Sequence, residues 1–533
     1  MTGDKGRTVL LGAGLGCAAV ARRYRFPHAA VATPHYLASS AGLATLAGGG
    51  NAMDAVIAAN LALGVVAPYL CGYGGDVFAI VWDGELHGYL GSGRSPGAAS
   101  VDDVRTRHGH MPVFGADSVT VPGGPAGWFD LLERFGTREL AQLAEPALRL
   151  ARDGFEVTPA GASVFEESRR MYGQFSDWMH VYGDVDAGTV LRQPALVRTI
   201  EALAADGPDA YYRGAIADAI AAAVTAGGGA LTRGDLAAHE GEWAMPMCAS
   251  YRGVEVAELP PPTQGASVLE ALRILDGFDG LGERDAVTRE HLRIEAFKVA
   301  MADRDRWITD PDAMPVDASA LFADEWVTAR HTTIDPTRAG TPDPGRPQPG
   351  GTAYLCAADA DGLLVSLIQS NFVHFGSGVH VPEWGINLNN RGFSFSLDPE
   401  RPNVLAPAKR PMHTLIPAMA LRDGEPWLVF GSMGGDAQAA VHVQVLGHIV
   451  DEAADPADAI SAPRWRADVG TWTVRAESRM PDELLAGLRA LGHDVRVTTD
   501  YDSGMGHAHA IWPTRGGYGV TSDPRAESAA LGL

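Results

Sequence analysis

The sequence predicts an α+β protein, helix-rich before residue 351 and strand-rich after it. Three observations carry this. Apolar residues recur at helical spacing through much of the stretch from Leu37 to Trp307. Asp83-Gly84, Asp361-Gly362 and Asp423-Gly424 each separate two short strand-like runs, and Asp-Gly supplies the positive φ of a tight hairpin. Composition is globular, 46% hydrophobic and 20% charged, with no apolar run long enough to span a bilayer.

Taken in order, Leu37 to Pro68 is an alanine-rich helical pattern. Gly48-Gly49-Gly50 breaks it, and Asn51 can cap the second helix, which runs through Leu63. Cys71-Gly72-Tyr73-Gly74-Gly75-Asp76 leads into a hairpin, 77–82 and 85–90. Arg94 follows between Gly91-Ser92-Gly93 and Ser95-Pro96. An arginine at a strand end among small residues can hold a carboxylate through two parallel hydrogen bonds, and a solvated surface arginine fits equally well.

From Val121 to about Gly228 the chain reads as mostly helical, with one helix over Ala141 to Ala151. Thr232 and Asp235 resemble a capping box. Tyr251 to Leu259 alternates like a single strand and stops at Pro260-Pro261-Pro262. Helices are expected over 267–278 and 289–307, with Lys298, Asp303 and Arg304 as structural ion-pair candidates. Beyond Thr352 come strands over 354–370, a hairpin over 418–430, and a helix from about Ala437 to Asp451. That helix follows Gly431-Ser432-Met433-Gly434-Gly435-Asp436, where successive backbone N–H groups can cradle an oxyanion or merely make a tight turn.

The net charge of −23 argues against nucleic acid and against anionic membranes as partners. The four cysteines are far apart and form no CxxC or Cys/His cluster, so no metal, cofactor or disulfide framework is expected. Thr8 to Ala21 faintly resembles a signal peptide, but glycines weaken it and Arg22-Arg23 follow at once, so a cytoplasmic protein is expected. Gly12-Ala13-Gly14-Leu15-Gly16 is a poor dinucleotide fingerprint, with Cys17 at the third glycine position.

The most suggestive stretch is the Pro/Gly-rich run from Asp335 to Gly351, a flexible and exposed segment that ends where a core strand begins at Thr352. A cut at Gly351–Thr352 would free an α-amine of pKa about 7.7–8.0 to activate the Thr352 hydroxyl. Glycine at 351 leaves its carbonyl unhindered. On this stretch alone, a linker ahead of a strand is the commoner explanation, since Gly-Thr pairs are frequent.

Several motifs in order change that balance: Gly49-Gly50-Asn51-Ala52-Met53-Asp54-Ala55, Gly351-Thr352, Leu388-Asn389-Asn390, Lys409-Arg410-Pro411, Gly431 to Gly435, and Ser522-Asp523-Pro524-Arg525. With them the chain resembles the γ-glutamyltranspeptidase family of N-terminal nucleophile hydrolases, from about Ala32 to Arg525. The resemblance implies a four-layer αββα sandwich and a proenzyme that cuts itself into residues 1–351 and 352–533, which form one structural domain. It implies Thr352 as nucleophile, Gly434 and Gly435 as the oxyanion pair, Ser370 as a hydroxyl assisting self-cleavage, and Arg94 as a carboxylate ligand. The two pieces are expected to stay associated around a small-molecule substrate, and a homodimer of such heterodimers is one assembly open to them.

The departures bear on the substrate. Ser394, with Phe393 before it, stands where members acting on γ-glutamyl groups carry an acidic residue for the substrate ammonium. The neighbouring polar position is Arg391; His413 and Thr414 replace a serine pair; Phe372 stands where asparagine is usual, and Ala353 where a second threonine is. The segment from Ser394 to Lys409 is short, so the loop covering the γ-glutamyl site is expected to be absent. These changes favour hydrolysis of an amide or activated acyl group bearing a carboxylate, oxalyl-type rather than glutathione, with Arg94 and Arg391 as ligands. The sequence resembles uncharacterised glutathione-hydrolase-like proteins and, in its altered pocket, oxamate amidohydrolase. Three alternatives stand beside this: a true γ-glutamyl hydrolase or transferase, a C–C hydrolase releasing an oxalyl unit in the biosynthesis of alkylproline antibiotic units, and an uncleaved binding protein.

Overall fold

The computed structural model describes residues 22–342 and 351–533. The signal-like stretch, its glycine-rich segment and Pro349-Gly350 lie outside the described residues.

Two seven-stranded antiparallel sheets face each other. The first takes strands β1 (Tyr24–Phe26), β6 (Met247–Tyr251), β7 (Val254–Glu258), β10 (Pro417–Arg422), β11 (Glu425–Ser432), β12 (Ala508–Thr514) and β13 (Gly517–Ser522), in the order β1-β13-β12-β11-β10-β7-β6. The second takes β2 (Ala30–Thr33), β3 (Asp76–Trp82), β4 (Leu86–Gly91), β5 (Glu242–Ala244), β8 (Gly351–Ala358), β9 (Leu364–Phe372) and β14 (Ala529–Gly532), in the order β14-β2-β8-β9-β3-β4-β5. Strand β8 is thus paired between β2 and β9.

Alternation along the strands builds the layers, since successive side chains point to opposite faces. In β3, Val77, Ala79 and Val81 enter the helix-side core, while Phe78 and Ile80 enter the core between the sheets. Strand β8 divides the same way, with Ala353, Leu355 and Ala357 on the helix side and Tyr354, Cys356 and Ala358 between the sheets. Helices α1 (Tyr36–Ala47), α2 (Ala52–Val66) and α3 (Gly124–Phe135) cover the second sheet. Helices α4 (Gly265–Asp276), α5 (Ala286–Trp307) and α6 (Ala437–Val450) contribute to the core over the first. The result is the four-layer αββα sandwich.

Local signals are honoured where they are strong. Asn51 and Asp54 form a capping box on α2, all of whose residues are buried, so the helix is small and apolar all round. The three Asp-Gly turns join β3–β4, β8–β9 and β10–β11 as expected. Two readings need correction. Tyr251 to Leu259 is not one strand: Arg252 and Gly253, at φ +52° and +80°, turn the chain from β6 into β7. The expected helix over 141–151 is two, Leu140–Leu143 and Glu145–Asp153, the second with proline in its first turn.

The ion-pair candidates pair as expected: Lys298 with Glu295 at 2.7 Å, Asp303 with Arg330, and Arg304 with Asp436. Lys298 and Glu295 also hold the start of the Pro/Gly-rich run. Gly340 N–H donates to Glu295 Oε2 at 2.9 Å, and Lys298 donates to the Gly340 carbonyl. His291 Nε2 meets the Asp335 carbonyl at 2.9 Å. Residues 335–342 are therefore largely exposed but tied to α5.

Candidate active site

The site forms where three neighbouring strands of the second sheet end. Thr352 is the second residue of β8, Ser370 lies near the end of β9, and Asp76 begins β3. Ser370 and Asp76 are direct cross-strand partners, and a bulge lies between Gly351 and Ala353. All three side chains are fully buried.

Thr352 Oγ1 donates to Ser370 Oγ at 3.3 Å, and Ser370 Oγ donates to the Gly351 carbonyl at 2.5 Å. The Phe372 backbone N–H donates to the same serine oxygen at 2.7 Å, which fixes its orientation. One serine thus links the Thr352 hydroxyl to the carbonyl that precedes it. A hydrogen bond to that oxygen draws electron density from the carbonyl carbon and favours attack on it. Glycine is required at 351: a Cβ there would lie 2.9 Å from the Tyr69 carbonyl oxygen and 3.0 Å from the His374 nitrogen.

Gly434 and Gly435 turn the chain from β11 into α6, with φ of +135° and +60°. Neither N–H donates to an acceptor among the described residues. The turn is braced from behind. Gln264 Nε2 donates to the Gly435 carbonyl at 3.1 Å and to the Thr414 carbonyl at 2.9 Å, and its Oε1 accepts from Arg304 at 2.8 Å. Gly351, Met433 and Gly434 border a cleft of about 1250 Å³, with Tyr69, Phe114 and His374 among its walls.

Arg391, His413 and Thr414 gather around Asp76, all without exposure. Arg391 Nε lies 3.9 Å and His413 Nε2 3.3 Å from Asp76 Oδ2. Arg391 Nη1 donates to Thr414 Oγ1 at 3.4 Å. Burial pulls the Arg391 guanidinium down to about 9, with Asp76 opposing. Burial, with help from Arg391, lowers His413 to about 4, so its ring is neutral near pH 7. Ser394 closes the short turn that begins at Arg391, and its carbonyl accepts from Asn403 at 2.8 Å.

Arg94 has different surroundings. Its Nη1 donates to Asp310 at 3.0 Å and to the Ala408 carbonyl at 3.0 Å, on the wall of a separate cavity of about 370 Å³. The structure therefore joins Gly351, Thr352 and Ser370 in one hydrogen-bonded set, and gathers Arg391, His413 and Thr414 around Asp76 beside it. His291, Glu295 and His493 stand close enough together to suggest metal ligands, but Lys298 already pairs with Glu295 and the two histidines bond each other at 2.8 Å. Sequence reasoning missed Asp76, Gln264 and Arg304 as parts of the site. Only the Gly-Gly-Asp run ahead of the first hairpin carried a signal, and a weak one.

The αββα sandwich, in which Ser370 links the Thr352 hydroxyl to the carbonyl before it, is that of the N-terminal nucleophile hydrolases among its solved neighbours. The chain belongs to the γ-glutamyltranspeptidase family, whose model, described as Gamma-glutamyltranspeptidase, matches residues 38–533. It is 38% identical to the oxamate amidohydrolase proenzyme of Klebsiella pneumoniae subsp. pneumoniae, over 95% of this chain and 98% of that protein. It is 36% identical to the glutathione hydrolase-like YwrD proenzyme of Bacillus subtilis, over 94% and 98%. Among solved structures, cephalosporin acylase from Bacillus halodurans superposes with a TM-score of 0.93 at 36% identity, covering 98% of this chain and 99% of that one.

Proposed function

We propose that this hydrolase cuts its own Gly351–Thr352 bond and then hydrolyses a small amide whose acyl group carries a carboxylate beside the attacked carbonyl. The Thr352–Ser370–Gly351 linkage supports the first step. Thr352 Oγ attacks the Gly351 carbonyl carbon, the C–N bond breaks, and the proton passes to the Thr352 nitrogen. Water then hydrolyses the ester, leaving residues 1–351 and a second chain that begins at Thr352. Its new α-amine takes the hydroxyl proton in each later turnover.

In turnover, Thr352 Oγ attacks the substrate carbonyl while the Gly434 and Gly435 N–H groups take the oxyanion. The amine leaves with a proton, and water releases the acid. The observation that carries the substrate class is Arg391, a buried guanidinium whose Nη2 has no acceptor among the described residues. Guanidinium suits a carboxylate, and neutral Ser394 offers no charge for an ammonium. The similarity to an oxamate amidohydrolase points the same way. Ammonia release from oxamate, set against anilide release from a γ-glutamyl anilide, tests this. Turnover of the anilide alone would defeat it.

A second reading, a bulkier amide, is favoured by the large cleft beside Gly351 and Gly434, which has room for a sizeable leaving group. No helix among the described residues is long and apolar enough to cross a membrane. Among the described residues Cys71, Cys248 and Cys356 are free thiols.

A further inference from the structure

Asp76 belongs to none of the motifs that mark the site, yet it lies at the centre of the buried polar group. Its two oxygens behave differently. Oδ1 accepts the backbone N–H of Gly123 at 3.1 Å and of Gly93 at 3.4 Å. These bonds place the carboxylate without help from any side chain. Oδ2 makes no hydrogen bond but faces His413 Nε2 at 3.3 Å and Arg391 Nε at 3.9 Å.

The Arg391 guanidinium is thereby divided. Nε faces Asp76, Nη1 reaches Thr414, and one planar face lies over the Phe372 ring at 3.8 Å. Nη2 is left without a partner among the described residues. His413 Nδ1 is likewise without a partner among the described residues. Gathered beside Ser370, these leftover polar atoms offer a ligand hydrogen bonds that the described residues do not use. The charges set its class. The leftover Arg391 Nη2 can only donate, and with His413 neutral the guanidinium is the one positive group of the cluster, so the edge suits a carboxylate oxygen and not an ammonium.

We propose that Asp76 is the positioning residue of the acyl-group pocket: it draws Arg391 by Nε and His413 by Nε2, and so turns the free Arg391 edge toward one carboxylate of the substrate. Asp76 also favours the His413 tautomer protonated at Nε2, leaving Nδ1 as an acceptor. The inference rests on the reading of Arg391 as a substrate ligand given above.

The test uses the mature protein with oxalate as a probe, measured by calorimetry, alongside hydrolysis of oxamate and of its neutral ethyl ester. Asp76→Asn is expected to mature normally on a denaturing gel. Its oxalate affinity should fall about 10-fold or more, with KM for oxamate rising alike, kcat within about threefold, and a clearly smaller loss on the ester. Asp76→Glu should lose less. In an Arg391→Gln background, Asp76→Asn should cost no further oxalate affinity, a coupling that a merely structural role would not produce. Unchanged oxalate affinity, or equal losses on acid and ester, overturns the proposal. Should Asp76→Asn remain uncut, Asp76→Glu decides: wild-type oxalate affinity there overturns it too. A wild type that binds oxalate in an Asp76-dependent way but hydrolyses no carboxylate-bearing amide would refute the proposed reaction and leave the pocket standing. A wild type that binds no oxalate would refute the pocket itself.

Discussion

The guanidinium carbon of Arg391 lies 3.8 Å from the centre of the Phe372 ring, and Phe372 holds a backbone φ of +83°. A bulky side chain in that region is strained. The same residue gives its N–H to Ser370, so one strained position holds both the serine beside Gly351 and the buried Arg391.

Replacing Phe372 by asparagine separates these two duties. Asparagine tolerates positive φ and keeps the N–H, but removes the aromatic face. Self-cleavage should persist, while KM for oxamate rises roughly 3- to 30-fold, the worth of a desolvated cation–π contact of about 0.7–2 kcal/mol. Steady-state kinetics on the purified variant measures it.

Ser370→Ala removes the donor to the Gly351 carbonyl. Maturation should slow by about 10²- to 10³-fold, as for loss of one oxyanion donor. The fraction of uncut chain against time on a denaturing gel reports it. Thr352→Ala should stay uncut indefinitely.

Gln264→Leu should keep the fold and the cut but loosen the Gly434–Gly435 turn. Its amide is lost from the Gly435 and Thr414 carbonyls together. We expect kcat to fall about tenfold or more with little change in KM, since the loss bears on the oxyanion. Single-turnover acylation checks it.

Acid should destabilise the protein well before its carboxylates titrate. Burial lowers His413 and His507 to about 4 and His509 to about 3, from an ordinary 6.5. The sign follows from proton counts: between pH 6.5 and about 4 the unfolded chain binds protons that the folded one refuses. Stability from these groups is therefore full above pH 6.5 and falls as pH drops toward 4, by up to about 1.4 kcal/mol per pH unit for each histidine. Urea midpoints measured across that range test it.

Much of this site was legible in sequence because its parts are local. Asn51 caps α2 through its own neighbours, and Asp-Gly turns make hairpins wherever they fall. Thr352 and Ser370 sit on the two strands of one hairpin, so their meeting needs only a short turn. Asp76 was illegible for the opposite reason. Its partners come from Gly93, Gly123, Arg391 and His413, which no local pattern connects. Tyr251 to Leu259 misled because alternation continues through a two-residue turn, and Arg252 carries no turn signal beyond the glycine after it.

Strand β8, wedged between β2 and β9, gives the proposed cut a lasting effect. The uncut chain folds as a single molecule, with every pairing an internal loop closure. Once severed, the same sheet would have to be rebuilt by two polymers meeting in solution, one of them inserting its first hairpin, β8–β9, between β2 and β3 of the other. Renaturation would then depend on concentration and compete with aggregation. The working enzyme would survive by the height of its unfolding barrier, and a heat pulse that the precursor recovers from would inactivate the mature form for good.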